Sequence, residues 1–366
     1  MFSAADHEFM AQALRLAERG LYSTTPNPRV GCVIVKAGKV IGEGWHERAG
    51  EAHAEIHALL AAGTGAQGAT AFVTLEPCSH HGRTPPCADA LIAAGVSRVV
   101  AAMQDPNPQV AGRGLSRLKA AGIGAGCGLL EAEARELNIG FVSRMTRGRP
   151  WLRMKVAASL DGKTALENGV SQWITGPAAR QDGHRWRARA CAILSGSGTV
   201  REDDPRLSVR GVPTSRQPIK VIVDSRLELS LTAKLLDTGE VIIATASDDQ
   251  KKADALRGQG AVILHLPGAG GKVDLPALTQ ELGRRGINEL HVEGGGRING
   301  ALIAAGLVDE LLLYLAPCLI GDAARGMFNL PALASLEEKK SLTIRDARMV
   351  GGDLRVLARL DSAANR

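Results

Sequence analysis

Residues 71–94 run Ala71-Phe72-Val73-Thr74-Leu75-Glu76-Pro77-Cys78-Ser79-His80-His81-Gly82-Arg83-Thr84-Pro85-Pro86-Cys87-Ala88-Asp89-Ala90-Leu91-Ile92-Ala93-Ala94. The apolar run Ala71 to Leu75 predicts a short buried strand, the Gly- and Pro-bearing stretch after it a loop, and Cys87 to Ala94 a helix. Another strand, Arg98 to Ala102, comes next. Strand, helix and strand in that order make an α/β layer, and two cysteines bracket its first loop.

The same alternation continues outward. Upstream, a helix is expected over Asp6 to Arg19, then a hairpin of Gly31 to Val35 and Lys39 to Trp45 about Ala37-Gly38, then a helix over Ala52 to Ala61. Downstream, helices are expected over Leu115 to Ala121 and from Glu131 to Met145. The basic stretch Arg147-Gly148-Arg149-Pro150 breaks the helical pattern and reads as a linker between a first domain, 1–146, and a second, 150–366. Past it, strands are expected at Leu152 to Ala157, Ala192 to Ser195, Ile219 to Asp224, Val241 to Ala244, Val262 to Leu266, Glu289 to Glu293 and Glu310 to Ala316, with helices between several of them. A length of 366 residues suits two cores of roughly 100 to 200 residues each.

Hydrophobic residues at 45% and charged residues at 22% are the profile of a globular chain. The net charge of +6 suits an anionic partner, and aromatics at only 3%, with no dense basic run, argue against nucleic acid and for small phosphorylated ligands. Six cysteines are too few for a disulfide scaffold, so reduced thiols or metal ligands are expected. Asp6 and Glu8 stand where a secretory signal would be basic, and the longest apolar stretch, Leu311 to Ile320, holds Pro317 and is too short to span a bilayer. No membrane association and a cytoplasmic setting are expected.

His53-Ala54-Glu55 opens a predicted helix, and with Cys78 and Cys87 it supplies one imidazole and two thiols. Three N/S ligands suit a zinc ion, one per chain, whose fourth position stays open to water. Both thiols lie near predicted helix starts, which favours the thiolate form. Glu55, two residues after His53, is placed to move a proton between water and a leaving amine. His57 is a competing ligand, while Cys32, Cys127, Cys191 and Cys318 read as small core residues. The pattern H-x-E followed by P-C-x-x-C marks zinc deaminases, but here eight residues separate Cys78 from Cys87.

That longer loop resembles the deaminase domain of the bifunctional riboflavin-biosynthesis deaminase–reductases. In this family Asn27, in Pro26-Asn27-Pro28-Arg29, and His46, in Gly44-Trp45-His46, match substrate-binding positions, as do His80 and Arg83 in the loop and Asp105 and Asn107 in Asp105-Pro106-Asn107-Pro108. An ordinary Asx turn is the alternative reading of that last segment. In the second half, Met154-Lys155-Val156-Ala157-Ala158-Ser159-Leu160-Asp161-Gly162-Lys163 and Ser171-Gln172-Trp173-Ile174-Thr175-Gly176 resemble the reductase domain of the same enzymes. The resemblance runs over essentially the whole chain.

It implies a cytidine-deaminase-like three-layer α/β/α domain with a mixed sheet, followed by a dihydrofolate-reductase-like α/β domain. It also implies NADPH as cofactor, a phosphorylated pyrimidine as substrate, and a homo-oligomer, dimer or tetramer. Lys155 is implied as a catalytic group, and Ser171, Arg187, Leu207, Arg210 and Glu293 as substrate contacts. Ala157, Trp173, Thr199, Asp203, Ser225, Gly295, Gly296 and Arg297 are implied on the cofactor. Independently of the family, strand Glu289 to Glu293 runs into Gly294-Gly295-Gly296 and a helix, a turn able to hold a pyrophosphate or simply to be tight. Asp224, in Val223-Asp224-Ser225-Arg226, leaves the choice between NADPH and NADH open, because an acid there ordinarily favours the unphosphorylated ribose.

Overall fold

A computed structural model describes residues 2–79 and 86–361, and the chain divides into two compact units, Met1–Gly148 and Arg149–Arg366. The first is built from α1 (Ala4–Glu18), β1 (Gly31–Lys36), β2 (Lys39–Trp45), α2 (Ala54–Ala62), β3 (Thr70–Val73), α3 (Cys87–Ala93), β4 (Arg98–Ala101), α4 (Arg113–Ala120), β5 (Gly124–Cys127), α5 (Glu131–Leu137) and α6 (Ile139–Arg147). Its sheet has the order β2-β1-β3-β4-β5, with β1 antiparallel to both neighbours and β3, β4 and β5 parallel. One apolar cluster, with Ile34, Ala58, Val73, Leu91 and Leu118, and a second, with Met10, Val33, Phe72 and Val100, cover its two faces. Alternate residues of β1 and β3 feed the two clusters, as the period of two requires.

Helix α2 lies so close to β2 that a Cβ on Gly44 would stand 2.3 Å from the carbonyl oxygen of Ala54. That approach fixes the helix end that carries His53 and Glu55. The helix expected from Glu131 to Met145 is broken at Asn138 (φ −107°, ψ 22°) into α5 and α6. Its buried side chain pairs with both backbone groups of Arg29, accepting from the N–H at 2.8 Å and donating to the C=O at 2.8 Å. Strand β5 had no apolar signal, because Gly124-Ala125-Gly126-Cys127 reads as a turn and pairs only as an edge.

The second unit comprises β6 (Trp151–Ser159), β7 (Lys163–Ala165), α7 (Pro177–Arg189), β8 (Ala192–Gly196), α8 (Ser197–Asp203), β9 (Ile219–Val223), β10 (Val241–Thr245), α9 (Gln250–Gly258), β11 (Ala261–His265), α10 (Leu275–Arg284), β12 (Glu289–Val292), α11 (Gly296–Ala304), β13 (Glu310–Ala316), β14 (Arg325–Gly326), β15 (Leu342–Val350) and β16 (Asp353–Leu360). Its nine-stranded sheet runs β11-β10-β9-β8-β12-β6-β13-β16-β15, parallel from β11 to β13 and antiparallel over the last two strands. The small β7/β14 pair and the β15/β16 hairpin were not anticipated; β15 mixes apolar residues with Arg and Asp and is mostly exposed, so it lacks a buried strand's apolar run. Cys127 and Cys318 are exposed, not core residues as expected, because one sits on the edge strand β5 and the other in the turn after Pro317; Cys32 and Cys191 are buried. No helix among the described residues is long and apolar enough to cross a membrane.

Candidate functional site

His53 is the N-cap of α2 and its side chain makes no capping bond, so the imidazole is free to turn toward the two thiols. Cys87 is the first residue of α3, and its backbone N–H donates to the sulfur of Cys78 at 3.2 Å. The Nδ1 of His53 and the two sulfurs all lie within 4.8 Å of one another, with Nδ1 3.2 Å from Cys87 and 3.7 Å from Cys78. Tetrahedral zinc, with bonds of about 2.0 Å to nitrogen and 2.3 Å to sulfur, requires ligand separations of about 3.5 to 3.8 Å. The three residues fit a zinc ion, and among the described residues the cluster does not include His57.

The electrostatics suit a cation. A hydrogen bond from Cys87 and then one from His53 outweigh burial and hold the Cys78 thiol down at about 4, while the same shared proton and burial push Cys87 up. Glu55, in the first turn of α2, is 3% exposed. Burial, and then the negative charge of Cys78, push its carboxyl up to about 7; a dication among the ligands pulls it back toward the carboxylate.

Asn27 and His46 stand together beside this cluster. The Nδ1–H of His46 donates to the Ala52 carbonyl at 3.1 Å, which leaves its Nε2 to accept from the Asn27 amide at 3.0 Å. Burial pushes the His46 ring toward neutrality, and its edge meets the His53 ring with centroids 5.3 Å apart. Two residues after Asn27, both backbone groups of Arg29 pair with Asn138, a contact that sequence reading missed; the only signal was an Asn inside a helical pattern. Asp105 and Asn107 do form Asx turns, accepting from the Asn107 and Gln109 N–H groups at 2.8 and 3.1 Å. His80 and Arg83 lie outside the described residues.

The second unit holds a cleft of about 1070 Å³ at the C-terminal ends of its parallel strands, where open α/β sheets bind ligands. Lys155, Ala157, Ser171, Trp173, Arg187, Thr199, Asp203, Ser225, Glu293, Gly295, Gly296 and Arg297 all line it. Two expected contacts do not. Leu207 takes a positive φ of 48° that turns its side chain into the core cluster with Ile193, Val200 and Ile222, and Arg210 is exposed, its backbone N–H bonded to His184.

Deep in the cleft, Arg187 clasps Glu293 through both oxygens at 2.5 and 2.8 Å. Burial alone would raise the Glu293 carboxyl, but that guanidinium holds it well below the usual range. Burial pushes the Lys155 amine down, with Glu293 opposing and Arg187 adding to the shift. Ser195 fixes the Glu293 backbone by donating to its carbonyl at 2.7 Å.

The glycine turn fits a dinucleotide. A Cβ on Gly296 would stand 2.7 Å from Asn329 Oδ1 and one on Gly294 2.2 Å from Ile298, whereas Gly295 is exposed to the cleft as an N-cap without a side-chain bond. The free N–H groups of α11 thus face the cleft, ready for phosphate oxygens. Asp224 is 1% exposed and its carboxylate accepts from the Leu229 N–H at 2.7 Å. It is thereby committed to the backbone, and Ser225 and Arg226 are left at the cleft wall, a pairing that suits the 2′-phosphate of NADPH.

Residues 150–350 match the family model for the RibD C-terminal domain, and residues 3–103 that for the cytidine and deoxycytidylate deaminase zinc-binding region. The riboflavin biosynthesis protein RibD of Escherichia coli K12 is 50% identical over 95% of this chain and 98% of its own length, and that of Aquifex aeolicus is 42% identical over 97% and 98%. Among solved structures, Acinetobacter baumannii RibD superposes with a TM-score of 0.92 at 45% identity, covering 98% of this chain and 99% of the other. A diaminohydroxyphosphoribosylaminopyrimidine deaminase/5-amino-6-(5-phosphoribosylamino)uracil reductase from Thermotoga maritima does so with a TM-score of 0.87 at 31% identity, covering 98% and 99%.

Proposed function

The chain belongs to the RibD family of bifunctional riboflavin-biosynthesis deaminase–reductases, and on that premise we propose that residues 1–146 carry a zinc-dependent deamination and residues 150–366 an NADPH-dependent reduction. The first substrate is 2,5-diamino-6-(5-phosphoribosylamino)pyrimidin-4(3H)-one, and the product of both steps is 5-amino-6-(5-phosphoribitylamino)uracil. The observation that carries the reading is the His53, Cys78 and Cys87 cluster beside the buried Glu55.

His53, Cys78 and Cys87 hold the zinc, which when bound supplies the Lewis acidity that makes water a nucleophile near neutral pH. Glu55 takes the proton of the attacking water on its carboxylate and hands it to the departing amine. Asn27 and His46, fixed to each other, orient the pyrimidine, and Asp105 and Asn107 present the loop that meets its ribose phosphate, with His80 and Arg83 completing the contact. In the reductase cleft Gly295, Gly296, Arg297, Thr199, Asp203, Ala157, Trp173 and Ser225 hold NADPH, which when bound supplies the hydride. Ser171, Arg187 and Glu293 hold the substrate, while Lys155 gives a proton to the imine nitrogen of the opened ribosyl chain. Leu207 and Arg210 serve only through their backbone or at the rim.

The enzyme works in the cytoplasm as a dimer or tetramer. The exposed edge strand β15, with Leu342, Ile344 and Met349 open to solvent, supports self-association. The test of the function is metal analysis, then ammonia release from the diaminopyrimidine phosphate, then NADPH oxidation on the deaminated product. A protein that binds zinc and never oxidises NADPH on that product is not this enzyme.

A further inference from the structure

We propose that Glu76 is a positioning residue of the deaminase half, setting the loop Asp105–Gly112 against the Cys78 turn so that substrate binding depends on its carboxylate. The inference rests on the reading of Asp105 and Asn107 as substrate contacts.

Glu76 follows β3, two residues before Cys78, and is 5% exposed. Its Oε2 accepts from the N–H of Asp105 at 3.1 Å and of Gly112 at 2.9 Å; its Oε1 accepts from the N–H of Gly114 at 2.8 Å and of Leu115 at 3.2 Å. One carboxylate therefore pins both ends of the loop and the first turn of α4. Helix α4 needs this, because its N-cap is Gly112 and offers no side chain to its free N–H groups. Glu76 acts as the missing cap from across the fold, with charge opposite to the helix's positive end.

The other side of the residue is tied to the metal turn. Its own N–H donates to Met103 at 2.9 Å, and a Cβ on Gly114 would stand 2.0 Å from the Pro77 carbonyl oxygen, so the start of α4 rests directly on the peptide before Cys78. Arg117 of α4 adds a bond to the Ser79 carbonyl at 3.3 Å and a pair with Asp89 of α3 at 2.6 Å. Inside the loop the Asx turns of Asp105 and Asn107 fix its shape but not its place. Its place comes from Glu76. All four bonds are made by a charged acceptor to backbone donors, the class with the larger net contribution.

Glu76→Gln keeps the shape but sets an NH2 where an oxygen accepted, leaving two backbone donors facing a donor. We expect zinc content and NADPH oxidation unchanged, KM for the phosphorylated diaminopyrimidine raised about tenfold with kcat within about threefold, and faster amide exchange over residues 105–115. Unchanged exchange, loss of zinc, or a fall in kcat with KM unmoved overturns the proposal. Asn107→Ala separates it from the reading beneath. If that variant raises KM and Glu76→Gln does not, the loop binds substrate and Glu76 does not govern it. If Asn107→Ala leaves KM at the wild-type value, the loop is no substrate contact, and the role of Glu76 through it falls as well.

Discussion

Glu55 is buried and Lys155 half-buried, each an ionisable group at the centre of a site, and each makes a separate prediction. Glu55→Gln preserves volume but removes the group that exchanges a proton, so zinc should stay while deamination falls roughly 100-fold or more. A variant still deaminating at near the wild-type rate would exclude Glu55 as the proton carrier. Lys155→Ala should lower reduction by about 100-fold and leave deamination and zinc content normal; an unchanged rate of NADPH oxidation assigns the amine a packing role instead. At this scale the clustering of His53, Cys78 and Cys87 was legible in the sequence, since so few side chains ligate zinc and the P-C and H-x-E strings place them. The partners that orient these groups were not. Asn138 reaches Arg29 from 109 positions away, and Arg187 reaches Glu293 from 106, separations at which no local pattern reports contact.

Helix α1 shows how an element is anchored by more than its own propensity. Ser3 and Asp6 form a capping box, with Asp6 N–H on Ser3 Oγ at 3.1 Å and Ser3 N–H on Asp6 at 2.9 Å. The same carboxylate takes a two-pronged bond from Arg98 of β4 at 2.8 and 3.0 Å. That hydrogen bond is the main reason the Asp6 carboxyl is lowered from 3.8 to about 2, against the opposing effect of burial. A lowered folded-state value means stability that is present above the unfolded value and lost as pH falls toward the folded one. Asp6→Asn should therefore cost about 1 to 2 kcal/mol above about pH 5, after allowance for solvent at the half-exposed Arg98, and progressively less between about pH 4 and 2. Urea titrations across that range check it; a difference that stays constant down to pH 3 would mean that the lost cap, not the charge, carries the effect. In the second unit, buried Arg153 bonds Glu289 of β12 at 3.0 Å and Glu310 of β13 at 2.5 Å, fixing the register of β6 between its neighbours. Lys155, two residues on, shares the strand face of Arg153. Most elements were legible because strand and helix periods are local. The ones missed, β5, the β7/β14 pair and the β15/β16 hairpin, take their pairing from neighbours rather than from a buried apolar run of their own.

Among the described residues of the whole molecule, each apolar cluster belongs to one unit or the other. Removing zinc with a chelator should therefore abolish deamination and destabilise the first unit, whose metal site contributes folding energy, while NADPH oxidation on the deaminated pyrimidine stays within about twofold. Restored zinc should restore deamination; reduction lost together with the metal would show that the units do not fold and act independently. The sequence by itself determined the α/β class of both halves, and it picked out the His53, Cys78 and Cys87 cluster with Glu55 beside it and the glycine turn, because each depends on residue type and short spacing. Only the tertiary structure decided that Asp224 serves the backbone of Leu229, that Leu207 turns into the core, that Arg187 is already paired with Glu293, and that Glu76 closes a loop some thirty residues away. A carboxylate or a guanidinium satisfies whichever donors or acceptors the fold brings within about 3 Å, and which ones those are is set by chain closure, not by neighbours in sequence.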